Sequence, residues 1–392
     1  MKPYVWPLAA MAILQVAGSI LLFAVVVLAP ELAPDLGIEP TEIGFYSALV
    51  FLGASTGALF SPGPIRRFGA IRMSQLGLIV SSVVLLAPVL GSWWIALIGG
   101  LLVGVGYGPF TPAATQILTS VTDDRERPFV LAIKQSAAPF GVMLGGALLP
   151  SIALEWGWVT ALLCVSAFGF VIAIAVQPLR RFTDHVVVAE TTGPSLALGL
   201  LARDKRLRQL TAVSFILSAS QMCVFTFLVI DLVERIGMEY RLAGLALSVL
   251  QVGGVLSRLV WGYLSERWIP GRVLLMGIAA LGSLSLFGLA NMNENWSFAE
   301  VSVVCGLSGI SIAGWNGIFL AEVVKNIPRD QLAAAVGTTV CFLYSGLVVG
   351  PAVFSATAHL TDSYPIAYSG LGVVVALAGV LVWRTQDTPG TA

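Results

Sequence analysis

The chain has 392 residues, 57% of them hydrophobic and only 11% charged, with lysines plus arginines equal to acids at 21 each. A soluble protein of this length could bury a large core but would still need a charged skin, and this composition does not supply one. The formal net charge is zero, so the total says nothing about partners and the placement of the charges matters more than their sum; no nucleic-acid partner is expected.

Apolar stretches recur along the whole chain at close to the ~20 residues that cross ~30 Å of hydrocarbon. In chain order they predict spans at 6–29, 44–62, 72–90, 93–118, 128–150 and 158–178, then 208–232, 241–264, 270–290, 296–321, 331–358 and 364–384. The first run is too long for a secretory signal, and Ala29-Pro30 makes a poor cleavage site, so it is expected to be a helix. Tryptophans at 6, 93, 94, 156, 158, 268, 296 and 383 fall near the predicted ends, as an interfacial belt requires.

Reading the spans as alternating from a cytoplasmic amino terminus collects nearly every cation on one side. Lys2, Arg66, Arg67, Arg72, Arg125, Arg127, Arg180, Arg181, Arg203, Lys205, Arg206, Arg208, Arg267, Arg272, Lys325, Arg329 and Arg384 fall in inner segments, and only Arg235 and Arg241 in outer ones. A shift by one span destroys this bias, which predicts a multi-pass protein of a bacterial-type inner membrane with both termini cytoplasmic. The domain expectation is an N-terminal six-helix bundle at 1–178, a cytoplasmic linker at 179–207 and a C-terminal six-helix bundle at 208–392. Cys164, Cys223, Cys305 and Cys341 lie inside apolar runs with no metal or redox spacing, so no metal and no cofactor are expected.

The two halves repeat one another. After the second span comes Pro64-Ile-Arg-Arg-Phe-Gly-Ala-Ile-Arg72, and after the eighth comes Gly262-Tyr-Leu-Ser-Glu-Arg-Trp-Ile-Pro-Gly-Arg272. On these loops, and in layout over essentially the whole chain, the sequence resembles the major facilitator superfamily. The family's inner-loop motif is a glycine, three residues, an acid, an arginine, one residue and a second glycine, with a basic residue beyond. Gly262, Glu266, Arg267 and Arg272 match it in the second half, with Ile269 in place of the later glycine. The first half keeps Arg67, Gly69 and Arg72 but has Pro62 for the first glycine and Arg66 for the acid. The resemblance implies an all-α membrane protein, twelve transmembrane helices in two six-helix pseudo-symmetric bundles, that moves solutes by alternating access and is not an enzyme. Arg258-x-x-x-Gly262 further resembles the monocarboxylate carriers, where this arginine binds the substrate carboxylate.

Two cations escape the loops. Lys134 follows Arg127 by seven positions and Arg258 precedes Glu266 by eight, so each lies ~10–12 Å from the inner surface. A charge at that depth must face protein or water. Lys134 shares a helical face with Ala138, Gly141 and Gly145, and Arg258 with Gly254 and Gly262, small-residue stripes that suit a bundle interior. The alternatives are that Lys134 snorkels to the inner headgroups and that Arg258 pairs with Glu266 or with orphan carbonyls at a helix end. Gln15, Tyr107, Gln135, Gln221, Trp315, Asn316 and Tyr344 are further candidates for orienting a solute, against helix–helix contact as the plainer role. Asp231, with Glu234 and Arg235, reads as an ion-pair cluster at the outer end of the seventh span, and Glu322 as an inner-end partner for Lys325 or the linker arginines. Asp231, Glu266, Arg267, Arg67 and Glu322 are the coupling and gating candidates. Two mid-depth cations and no mid-depth acid point to a small organic anion, a mono- or dicarboxylate. The resemblance to carboxylate carriers implies that it moves with protons, and the carrier is expected to be a monomer in the lipid bilayer. The alternatives are a drug or metabolite efflux antiporter of the same fold, and an anion exchanger.

Overall fold

The computed structural model of the chain describes residues 2–123, 126–182, 198–326 and 332–384, and within these helix is the regular structure. The elements are α1 (Val5–Val27), α2 (Ala29–Leu36), α3 (Ile43–Phe60), α4 (Pro62–Phe68), α5 (Ala70–Val84), α6 (Trp93–Tyr107), α7 (Phe110–Val121) and α8 (Arg127–Ala175). There follow α9 (Leu198–Arg203), α10 (Lys205–Glu234), α11 (Tyr240–Arg267), α12 (Gly271–Asn291), α13 (Phe298–Ser308), α14 (Asn316–Asn326), α15 (Leu332–Thr361) and α16 (Tyr364–Arg384). Helix closes every backbone hydrogen bond inside its own segment, which an apolar surrounding demands.

Among the described residues, eleven stretches are long and apolar enough to cross a membrane. One of them, Phe129–Arg180, runs to 52 residues and turns at Gly157, whose φ of 82° lies in the left-handed region that suits glycine. It therefore supplies two crossings, and twelve result, as the hydropathy predicts. Short polar devices begin several helices. Asp204 accepts from the backbone N–H groups of Arg206 and Leu207 at the start of α10. Ser297 and Glu300 form a reciprocal capping box at the start of α13. The basic end of the expected linker is itself helical, as α9; residues 183–197 of that linker lie outside the described residues.

The chain forms two compact units, Met1–Gly193 together with Leu232–Ser248, and Pro194–Asp231 together with Val249–Ala392. In the first, α1 lies along α8 and α3 along α6. Close approach is set by glycine: a Cβ at Gly141 would stand 2.5 Å from the Val16 carbonyl oxygen and 2.8 Å from the Ser19 Cβ. The segment 232–248 is tied into this unit by Tyr240 donating to the Val27 carbonyl at 2.6 Å and by Ser248 donating to the Met143 carbonyl at 2.8 Å. One end of the unit joins Lys2 to Glu126. The other joins Arg241 to Glu155 at 2.9 Å. In the second unit α12 lies along α16, with Arg272 donating to the Trp383 carbonyl at 3.1 Å.

Candidate functional site

The fourth crossing is not one helix. It breaks between α6 and α7 at Gly108-Pro109, where proline has no N–H to give to the carbonyl four residues back. Beside this break Lys134 of α8 is 1% exposed, and its ammonium donates to the Thr111 hydroxyl at 3.2 Å. Among the described residues it meets no carboxylate. Snorkelling to the inner surface is thereby ruled out for this conformation. One turn along, Gln15 of α1 is also buried, and its amide donates to the Tyr107 hydroxyl, which stands 3.3 Å from Ser19 Oγ. Lys134, Gln15 and Tyr107 are therefore brought to adjacent turns of one polar cluster, and Thr111 and Ser19 join them. Gln135, one position round the helix from Lys134, is exposed and lies off that buried face.

The tenth crossing is broken as well. After α13 the chain widens into a turn of π-helix over Gly309–Ala313, leaves helix at Gly314 and Trp315, and resumes as α14. The freed carbonyls are taken up by α11: Trp261 Nε1 donates to the Ile310 carbonyl at 2.9 Å and Arg258 Nη2 to the Ala313 carbonyl at 3.3 Å. Arg258 thus engages a helix-end carbonyl, one of the two structural roles open to it from the sequence. The side chain of Glu266, the other expected partner, lies outside the described residues. On the far side of the break Trp315 is fully buried and donates to Gln221 Oε1 at 3.0 Å, and Asn316 reaches the same oxygen at 3.5 Å. Gln221, Trp315 and Asn316 form one group, with Trp315 edge-on to Phe319 at 5.4 Å between centroids. Tyr344, on α15, is half-buried and makes no hydrogen bond to it.

The gating candidates divide by position. Arg67, at the end of α4, is exposed, with its guanidinium 5.3 Å from the Phe68 ring centroid. Gly69 follows with φ of 91°, a turn that explains why the first-half loop retains this glycine. Arg267 donates to the Tyr263 hydroxyl at 3.2 Å and lies over its ring at 4.9 Å. Glu322 is buried against Gly271, the first residue of α12, so its carboxylate sits at a helix amino terminus, which favours negative charge. The side chain of Lys325 lies outside the described residues. Asp231 is completely buried and within electrostatic range of Cys305. Gln251 is a further polar residue inside an apolar span, of the same kind as Gln15 and Gln221 but not among the sequence candidates. It is fully buried on the Arg258 face of α11, with neither amide atom hydrogen-bonded.

Residues 9–351 match the family model described as Major Facilitator Superfamily. The chain belongs to the major facilitator superfamily. It is 24% identical over 296 residues to an uncharacterized MFS-type transporter of Mycobacterium tuberculosis, a match covering 73% of this chain and 64% of that protein. A probable sulfoacetate transporter of Cupriavidus necator is 24% identical over 93% of this chain and 90% of its own length. A multi-drug resistance efflux pump of Streptococcus pneumoniae is 25% identical over 87% of this chain and 86% of its own. A crystal structure of a bacterial homologue of the human lysosomal transporter Spinster shares the fold, with a TM-score of 0.76 over 100% of both chains at 15% identity. Multi-pass membrane insertion and major facilitator architecture follow for this superfamily member. Broken fourth and tenth crossings make its two units alike in a feature that the loop motifs only hinted at.

Proposed function

We propose that this facilitator is a secondary active carrier of a small organic anion, a mono- or dicarboxylate, working by alternating access and coupled to protons. The observation that carries the reading is Lys134, an ammonium sealed in the first unit with one neutral acceptor, the Thr111 hydroxyl. An ammonium has three donors, and burial of its charge is costly unless it is paired. An incoming carboxylate supplies that pairing, so closing the protein around the substrate becomes easier than closing it empty. Arg258 adds positive potential at the break in the tenth crossing, and the buried Asp231 is the titratable group assigned to the coupling proton. The carrier is assigned to a bacterial-type inner membrane, as a monomer with both termini cytoplasmic.

A second reading, efflux of cationic or neutral drugs, draws on the same buried Asp231 and on the likeness to the efflux pump. The two separate in proteoliposomes. The anion reading expects uptake of labelled carboxylates that rises with an inward proton gradient and is lost in Lys134→Ala. In Asp231→Asn, substrate exchange without a gradient should persist while gradient-driven accumulation is lost. Carboxylate uptake unaffected by Lys134→Ala would sink the anion site, and cation efflux abolished by Asp231→Asn would establish the rival.

A further inference from the structure

The polar cluster of the first unit is unfinished at two points. Gln15 Nε2 is engaged by Tyr107, but Gln15 Oε1 is buried with no hydrogen-bond partner. Turning the amide over only exchanges which end is left, because the NH2 would then be unpaired in place of the oxygen. The second point is the Lys134 ammonium, with its single acceptor at Thr111. Tyr107 and Thr111, the partners of these two groups, stand four residues apart across the Gly108-Pro109 break, a backbone rise of ~6 Å that puts them on neighbouring turns of the fourth crossing.

We propose that Gln15 and Lys134 form a two-point subsite that selects organic anions bearing a hydroxyl within one to three carbons of the carboxylate. This rests on the anion reading above and narrows it to hydroxy acids. The carboxylate neutralises Lys134. The hydroxyl meets the open end of the Gln15 amide, since it can donate to an oxygen or accept from an NH2 without carrying charge. A deoxy acid of the same length leaves the amide buried and unpaired, and a site with an orphaned polar group discriminates strongly against such a ligand. Ser19 and Tyr107 then hold the amide in place, as positioning residues on the far side from the substrate.

The test uses the full chain in proteoliposomes and two matched pairs of labelled acids, malate against succinate and lactate against propionate. The expected result is that the wild type takes up the hydroxylated member of each pair at least about tenfold more efficiently at low concentration. Gln15→Leu should collapse both ratios toward one, chiefly by loss of the hydroxylated member. The near-isosteric Gln15→Met replaces that variant if it fails to fold, and the wild-type ratio is informative without either. Equal uptake within both pairs overturns the proposal while leaving the anion reading intact. A ratio that survives in a transporting Gln15 variant overturns it too. If none of the four acids moves, the anion reading falls and takes this subsite with it.

Discussion

The broken fourth crossing of the first unit and the broken tenth of the second answer one physical problem in two ways. In each, a cation from a neighbouring helix reaches the break. Arg258 gives its guanidinium to a main-chain carbonyl, Ala313, while Trp261 covers Ile310. That is the repair which a membrane-buried π turn requires, and it holds the helix ends in register. Lys134 repairs nothing: Gly108-Pro109 sits at a turn that proline alone explains, and among the described residues the ammonium donates only to a side-chain hydroxyl. A charge used as scaffolding and a charge held in waiting look the same in the sequence. They differ in what they touch.

The largest expected effect is at Lys134. Lys134→Met keeps the length of the chain and removes a buried charge with one neutral partner, so anion uptake should fall by about a hundredfold or more. The melting temperature of the purified protein, followed by tryptophan fluorescence, should hold or rise. A melting temperature lowered by several degrees would show Lys134 to be scaffold after all, and the comparison would break.

Arg258→Ala should do the reverse in emphasis. The Ala313 carbonyl loses its donor inside the membrane, at a cost of ~1–3 kcal/mol, so melting should drop by several degrees, with uptake reduced only about tenfold. Arg258→Lys, which keeps charge but loses the planar fork, should recover uptake more than stability. The smallest effect is expected for Trp261→Phe, which removes one neutral hydrogen bond to Ile310, worth ~1 kcal/mol. Melting should shift slightly and uptake hardly at all. An uptake loss there as large as at Arg258 would mean that the break itself, and not the charge beside it, governs transport.

The crossings were legible because hydropathy is a property of long segments, and local detail averages out over twenty residues. The break at Gly108-Pro109 was also written in the chain, since a proline ends hydrogen bonding four residues back, yet the apolar run from 93 to 118 reads straight through it. The break at 309–315 carries no proline. Its cause is tertiary: Gly309 lies close against Leu250 and Gly253, and Gly314 against Ser257, contacts that no local pattern encodes. For the same reason Lys134 stands out by its charge, whereas its acceptor Thr111 does not, and the amide of Gln251 is a signal no different from that of Gln15 or Gln221. Asp231 was placed by counting residues along a helix, which gives depth but not cover, and its complete burial depends on the elements packed around it.

The π turn also fixes a phase. One extra residue accommodated between Gly309 and Ala313 advances everything after it by about 100° around the helix axis. Trp315 and Asn316 meet Gln221, and Glu322 meets the start of α12, only in that advanced phase. Removing a single residue from the turn would return the crossing to a regular helix and rotate all three away from their partners together. The widened turn is thus a gear tooth in the tenth crossing, setting which face its inner half shows to the rest of its unit.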